Sequence, residues 1–262
     1  MPTQHVNGID IYYEVAGQGD PVLLIHGLGS STRDWEKQLP ALTQAYQVIT
    51  VDVRGCGQSG EPPGPYSIAG FAADIAAFME AINLESAHMI GISMGATIGF
   101  QLALDHPARL RSLIAINAPA AYPTDTFKQK YNVWLRFAIV NLMGMRKMGE
   151  VLAGRLFPDD DQADIRQIFT DRWAENDPRA YKDVMRALVG WSMESDLERI
   201  EAPILVISSE LDYYPTPDKQ AYVDRLPNAT LTEIANARHA VTFAHPEWIN
   251  PLLSQWLDQQ TR

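Results

Sequence analysis

Short apolar runs alternate with amphipathic stretches along most of the chain. The apolar runs are rich in β-branched residues, which favours buried strands, and the stretches between them repeat apolar positions at helical spacing. The predicted strands occupy residues 22–25, 48–51, 87–90, 113–116, 204–207 and 230–234, and the predicted helices occupy residues 32–42, 68–82 and 96–104. Strands that alternate with helices predict a mostly parallel sheet covered by helices on both faces.

Two parts of the chain depart from this alternation. Near the start, Asn7-Gly8 separates two strand-like segments and predicts a tight hairpin turn. Residues 119–196 keep helical spacing but contain no strand candidate, and a structureless loop of that length is uncommon in a compact domain. We therefore expect a helical cap, residues 119–196, inserted into an α/β core formed by residues 1–118 and 197–262.

Composition and charge narrow the classes of function. The chain has 262 residues, 46% of them hydrophobic, so it can fill one large core. Its formal net charge of −11, without a visible basic cluster, argues against a nucleic-acid partner. No apolar run approaches the roughly 18 residues needed to span a membrane, and the first residues lack a signal-peptide pattern. Because Cys56 is the single cysteine and cannot form an internal disulfide, we expect a cytoplasmic location.

The segment Gly91-Ile92-Ser93-Met94-Gly95 carries the main chemical signal. It lies between a predicted strand and a predicted helix, and such a sharp turn holds its central residue in strained backbone geometry. Glycines two positions before and after Ser93 leave room for the turn, because neither has a side chain. We therefore predict that Ser93 is displayed above the sheet edge as a nucleophile, rather than serving only as a helix cap.

A serine nucleophile requires a base and an acid. Serine is a poor nucleophile at neutral pH, so a histidine must accept its proton and a carboxylate must orient that histidine. His239 follows the last predicted strand, and Asp212 follows the strand before it. Glu210 competes with Asp212 for the role of acid, and His245 competes with His239 for the role of base. We favour Asp212 and His239, because His245 precedes a proline that marks a helix start.

These motifs resemble the α/β-hydrolase fold family, in its small esterase-like branch. The resemblance rests on His26-Gly27-Leu28-Gly29, on the glycine-containing stretch 52–59, on the serine turn and on the late Asp212 and His239. It implies an eight-stranded, mostly parallel sheet with an inserted cap, and a triad in the chain order serine, aspartate, histidine. It also implies that Leu28 supplies one oxyanion-hole N–H, beside the N–H that the serine turn provides at Met94.

The remaining polar residues favour structural roles. We interpret His26 as shaping the oxyanion loop, and Asp52 and Arg54 as bracing the loop that follows their strand. Nothing in the sequence lowers the pKa of Cys56, so an inert thiol is expected. No set of His, Cys or carboxylate residues has metal-ligand spacing, and we expect neither a metal nor another cofactor. Asn117 follows a strand but lacks the charge of a catalytic acid.

The cap gives the only indication of substrate. Its first part is crowded with aromatic residues and flexible thioethers, which suit a pocket for acyl groups of varied shape. Trp134, Met143 and Met145 are the candidate pocket residues, although such a stripe also fits core packing. The expected substrate is a small to medium carboxylic ester. A lactone or enol-lactone hydrolase, a carbon-carbon bond hydrolase and a slow-turnover receptor remain alternatives, and a homodimer is compatible with the sequence.

Overall fold

The computed structural model describes residues 2–261, which form an eight-stranded sheet. Its strands are β1 (Thr3–Val6), β2 (Ile9–Ala16), β3 (Asp20–Ile25), β4 (Tyr46–Val51), β5 (Ala87–Ile92), β6 (Leu110–Ile116), β7 (Ile204–Ser209) and β8 (Ala229–Ile234). They lie in the order β1-β2-β4-β3-β5-β6-β7-β8. The pairs β1-β2 and β2-β4 are antiparallel and the other neighbours are parallel. The predicted mostly parallel sheet is therefore confirmed.

Helices connect most of these strands. They are α1 (Leu39–Leu42), α2 (Ile68–Ala81), α3 (Met94–Asp105), α4 (Phe127–Leu156), α5 (Ala163–Ala174), α6 (Pro178–Leu188), α7 (Thr216–Val223), α8 (Val241–Ala244) and α9 (Pro246–Gln260). Within residues 2–261, no helix combines the length and the apolar composition that crossing a bilayer requires.

The sheet is buried on both faces, as its continuous apolar strands require. Successive side chains of a strand point to opposite faces, so Leu23 of β3 packs into one core with Phe78 and Phe100 from α2 and α3. Its neighbour Leu24 packs into a second core with Leu253 of α9. The helix layers on both sides hold the sheet edges, and the loops that follow the strands, in fixed positions.

Two local predictions had different outcomes. The Asn7-Gly8 hairpin is confirmed, because Val6 pairs with Ile9 and both turn residues have positive φ values, 47° and 76°. The helix predicted over residues 32–42 is wrong. That segment contains a 3-10 turn at Thr32–Trp35 and the short helix α1, because Pro40 has no N–H to continue a regular helix.

The helices α4, α5 and α6 lie between β6 and β7 in the chain, and we call them the cap. Most of their buried apolar side chains form a cluster that also includes Phe243 of α8, whereas Val184 and Leu188 of α6 pack into the core that contains Leu23. The helix α4 breaks at Gly144, which has φ 80° and ψ 177°. Because residues on either side of this break belong to two different helical phases, the apolar stripe of α4 does not follow one continuous face.

Candidate active site

Ser93 occupies a sharp turn between β5 and α3. Its φ is 54° and its ψ is −113°, a conformation that costs free energy for a residue with a side chain. A Cβ atom on Gly95 would lie 2.0 Å from the carbonyl oxygen of Ile25, and one on Gly91 would lie 2.4 Å from the amide nitrogen of Ala96. Both glycines are therefore required by close backbone packing, and they hold Ser93 at the end of β5.

His239 and Asp212 are brought together from separate loops. The Nδ1 atom of His239 lies 2.5 Å from Oδ1 of Asp212, and the Asp212 side chain is fully buried. The same oxygen accepts a hydrogen bond of 2.7 Å from the backbone N–H of Tyr213. Burial alone would raise the pKa of Asp212, but His239 and Lys219 outweigh burial and lower it. The carboxylate is thus kept ionised beside the histidine.

The competing acid and base lie elsewhere. The Glu210 carboxylate accepts a hydrogen bond of 2.7 Å from the backbone N–H of Asn236. The His245 ring stacks on Trp248 with a centroid separation of 3.8 Å. Neither group therefore takes part in the contact between Asp212 and His239.

Asn117 has a structural task that the sequence did not indicate. Its side-chain amide donates to the backbone oxygen of His239 at 2.9 Å and to Oγ of Ser209 at 2.8 Å. Its Oδ1 accepts the backbone N–H of Ser209 at 2.8 Å. Asn117 thus fastens the loop of the candidate base to the end of β7. Its φ of 52° lies in the left-handed region, which asparagine tolerates better than most residues.

The loop after β3 lies against the serine turn. A Cβ atom on Gly27 would lie 3.9 Å from Cβ of Ser93, and Leu28 lines the same cavity as Ser93. Met94 is the first residue of α3, so its N–H has no acceptor inside that helix. The role of the Leu28 and Met94 N–H groups as an oxyanion hole stays a prediction, and the positive end of the α3 dipole lies at the same turn.

His26 shapes this loop through two ring contacts. Its Nε2 accepts the backbone N–H of Val53 at 3.2 Å, and its Nδ1 lies 2.7 Å from the carbonyl oxygen of Gly27. The ring is fully buried and joins the loops after β3 and β4. Its contacts agree with the expected structural role.

Asp52 and Arg54 brace the neighbouring loop through separate partners. The Asp52 carboxylate accepts the backbone N–H groups of Thr32 and Gln58 at 2.6 and 2.8 Å. Arg54 instead forms a two-pronged ion pair with Asp74, with both contacts at 2.7 Å. The two residues therefore do not form an active pair.

The nucleophile and base open into one cavity of about 810 Å³ beneath the cap. Ser93, His239 and Leu28 line it, and α4 contributes Arg136, Ile139 and Met148 among others. The predicted pocket residues do not line it. Trp134 and Met143 are 60% and 58% exposed, and Met145 is buried in the apolar cluster of the cap. Before the break at Gly144, α4 turns Arg136 and Ile139 toward the cavity, and Trp134 lies off that face.

Tyr122 adds a hydroxyl to the cavity that the sequence did not indicate. It lines the cavity, and its hydroxyl lies 3.0 Å from Oγ1 of Thr97. Burial raises the pKa of Tyr122, although hydrogen bonds to Thr97 and Ser93 oppose the rise. Tyr122 therefore remains a neutral phenol in the cavity that Ser93 also lines. The signal available in the sequence was its place shortly after the carboxyl end of β6.

Two further predictions concern the Cys56 thiol and the residues that could hold a metal ion. Burial raises the pKa of the Cys56 thiol well above its usual range, in agreement with the expected inert role. Among residues 2–261, no group of three or more His, Cys, Asp or Glu side chains is arranged to hold a metal ion.

The comparisons agree with this fold and geometry. The model of the alpha/beta hydrolase fold family matches residues 20–141. A protein of Caulobacter segnis named "Putative carbamate hydrolase RutD" is 33% identical over 98% of this chain and 99% of its own length. The chain belongs to the α/β-hydrolase fold family.

Two solved structures show the same fold at lower sequence identity. An enol-lactonase from Burkholderia xenovorans is 22% identical, with a TM-score of 0.91 over 98% of this chain and 100% of that one. A thermophilic esterase from Thermogutta terrifontis is 24% identical, with a TM-score of 0.87 over 98% and 97%. Together with the family, the similar proteins support a hydrolase.

Proposed function

We propose that the protein is a serine hydrolase that cleaves small to medium carboxylic esters through an acyl-enzyme on Ser93. One observation carries this proposal. A serine in a strained turn shares a cavity with a histidine that is held by a buried carboxylate. Such an arrangement gives a hydroxyl the base that it needs for attack on a carbonyl carbon.

The reaction proceeds in two halves. Ser93 Oγ attacks the ester carbonyl while Nε2 of His239 accepts its proton, and the N–H groups of Leu28 and Met94 stabilise the oxyanion. His239 then donates the proton to the leaving alkoxide, which departs as the alcohol. Water attacks the acyl-enzyme with His239 again as base, releasing the acid and restoring Ser93. Asp212 orients the imidazole and stabilises its charged form.

The proposal is tested with p-nitrophenyl esters of graded acyl length and the Ser93→Ala variant. Hydrolysis should fall by about four to six powers of ten, because nucleophile and base act as a unit. Mass spectrometry of the wild type with a fluorophosphonate probe should find the adduct on Ser93. Ser195→Ala is the matched control, since Ser195 is an exposed residue that bonds its neighbour Asp196. Turnover of Ser93→Ala near the wild-type rate would exclude the mechanism.

Carbamate hydrolysis is the second candidate, favoured by the name of the relative from Caulobacter segnis. A carbamate also presents a carbonyl to a serine, so the same residues would act on it. The two candidates are distinguished by an assay of ammonia released from carbamate esters. Release by the wild type that disappears in Ser93→Ala would support carbamate hydrolysis. A lactone is a cyclic ester, and lactones belong in the same panel.

A further inference from the structure

A lysine contacts the candidate acid from the side opposite the histidine. The side chain of Lys219, in the first turn of α7, is 0% exposed. Its Nζ donates to Oδ2 of Asp212 at 2.5 Å and to Oγ of Ser208 at 3.0 Å. The two oxygens of Asp212 are thus divided, with one facing His239 and the other facing Lys219.

Burying this lysine is costly, so its presence calls for a reason. Lysine is almost never fully buried unless it is paired, and a well-packed apolar residue is often at least as stabilising as a buried ion pair. Burial lowers the pKa of Lys219, and Asp212 opposes that effect. Packing alone would be served as well by methionine, so the ammonium points to an electrostatic task.

The other charged and titratable groups around Asp212 and His239 do not offset the Asp212 charge by direct contact. Burial raises the pKa values of the phenols near Asp212, which therefore stay neutral; they belong to Tyr122, Tyr213, Tyr214 and Tyr222. Glu233 and Asp218 add negative charge near Lys219. The Tyr213 ring packs on the His239 ring with a centroid separation of 4.7 Å, and the charges of Arg136, Arg155 and Arg238 act to lower the pKa of Tyr213. Lys219 is the cation in direct contact with the carboxylate.

We propose that Lys219 is a positioning residue whose positive charge sets the pH range in which His239 acts as a base. The ammonium offsets part of the Asp212 charge, so the carboxylate stabilises the imidazolium less strongly. The acidic limb of the activity therefore lies at lower pH than it would if the acid had no ammonium partner. This inference rests on the proposed function, in which His239 is the general base.

The test compares Lys219→Gln with Lys219→Met across the pH profile of kcat/KM. Both variants remove the charge, but glutamine keeps a hydrogen-bond donor. The acidic limb should move to higher pH by about one unit in both, which is about a tenfold loss of activity on the acid side. Lys147→Gln removes the same charge from an exposed pair with Glu150 and should leave the limb in place.

A merely structural role gives a different result. If Lys219 only holds the loop of Asp212, Lys219→Gln should keep the wild-type limb, and that outcome would overturn the proposal. A wild-type measurement needs no variant: the ¹⁵N resonance of Lys219 Nζ near neutral pH should be that of an ammonium, and a neutral amine would overturn the proposal. Ester hydrolysis by Ser93→Ala at the wild-type rate would instead refute the proposed function, so the two failures are distinguishable.

A separate observation concerns the substrate. Arg136 and Arg155 of α4 both line the cavity, and within residues 2–261 neither guanidinium has a carboxylate oxygen within 4.0 Å. Arg136 donates to the thioether of Met185 at 3.7 Å, and a thioether is a weak acceptor. Arg172 of the same cavity, by contrast, is paired with Glu36 at 2.8 Å.

These two positive charges act close to the reacting groups. Burial raises the pKa of Tyr213 to about 12, and Arg136 and Arg155 oppose that rise. The Tyr213 ring in turn packs on His239. Carboxylates also line the cavity, at Asp34, Glu194 and Asp218, but Asp34 accepts the Ser30 hydroxyl and the Gly27 N–H. The α4 side of the cavity therefore presents cations that lack a carboxylate partner of their own.

We infer that the arginine pair selects esters and lactones that carry a carboxylate away from the reacting carbonyl. A guanidinium binds a carboxylate through two parallel hydrogen bonds, and two cations on the α4 side of the cavity attract anions locally in a chain whose net charge is −11. This inference also rests on the proposed function, because it names the substrate class of the same site.

The matched substrates are monomethyl glutarate and methyl pentanoate, followed by proton release. They share an acyl length and differ in a terminal carboxylate. The wild-type ratio of kcat/KM should favour the glutarate ester, and Arg136→Gln and Arg155→Gln should each lower that ratio by about tenfold. Arg146→Gln removes an exposed charge that is paired with Asp171 and should preserve the ratio. A wild-type ratio at or below unity, or a ratio that neither cavity variant changes, would overturn the inference, whereas cleavage that survives Ser93→Ala would refute the proposed function.

Discussion

Gly95→Ala tests the link between the serine turn and catalysis. The added methyl group would lie 2.0 Å from the carbonyl oxygen of Ile25 and 2.8 Å from that of His26. Both contacts are with backbone, so a side-chain rotation cannot relieve them, and α3 must separate from the end of β3. The turn that carries Ser93 and Met94 must then move by about 1 Å or more, and a 1 Å misplacement costs about 100-fold in rate.

The assay is kcat for a p-nitrophenyl ester, normalised to the folded fraction from thermal unfolding. Gly154→Ala is the matched control, because a Cβ atom there meets nothing within 4 Å. It should keep the wild-type kcat and raise stability by about 0.5 kcal/mol, since alanine is the better helix former. A Gly95→Ala protein that is folded and retains the wild-type kcat would refute the claim that this close contact aligns the nucleophile.

Three further results are expected. His239→Ala should lower kcat by about four powers of ten or more, whereas His245→Ala should change it by less than about tenfold; the reverse ranking, read from the same ester assay, would reassign the base. Asn117→Ala should cost about 1–3 kcal/mol in the free energy of unfolding, because it leaves buried backbone groups unpaired, and urea unfolding of a variant as stable as the wild type would contradict this. Ile139→Trp should shift the preferred acyl length to shorter chains, since Ile139 lines the cavity, while the exposed Met143→Trp should not; a profile that responds only to Met143→Trp would restore the original pocket prediction.

The parts of the fold that could be predicted depend on short stretches of sequence. Buried parallel strands are continuous apolar runs, and the strands with this pattern were found with errors of a few residues at their ends. The serine turn could be predicted because it is a local feature of the sequence. A Cβ atom on Gly91 or Gly95 would clash with backbone atoms, so the turn requires glycine at both positions. Residues 32–42 do not form the predicted helix although their apolar spacing favours one, because Pro40 lacks the N–H that a continuous helix needs.

The features that escaped prediction depend on contacts between distant parts of the chain. Lys219 follows Asp218 in a polar segment, and its sequence context is that of an exposed residue. Its burial arises only when α7 packs over the end of β7. The prediction of the cavity wall was wrong for another reason: a stretch rich in aromatic and thioether side chains does not indicate which of them face the cavity, and Trp134 and Met143 are exposed.

The end of β6 ties the candidate nucleophile to the candidate base. β6 lies between β5 and β7 in the sheet. The backbone N–H of Ser93 donates to the carbonyl oxygen of Ile116 at 2.8 Å, and the next residue, Asn117, holds the backbone of His239 and Ser209. Serine and histidine are therefore aligned through a strand that supplies neither of them. Because each of these contacts ends on a backbone atom of the element that it holds, the alignment depends on the register of the sheet, while the cap determines what enters the cavity.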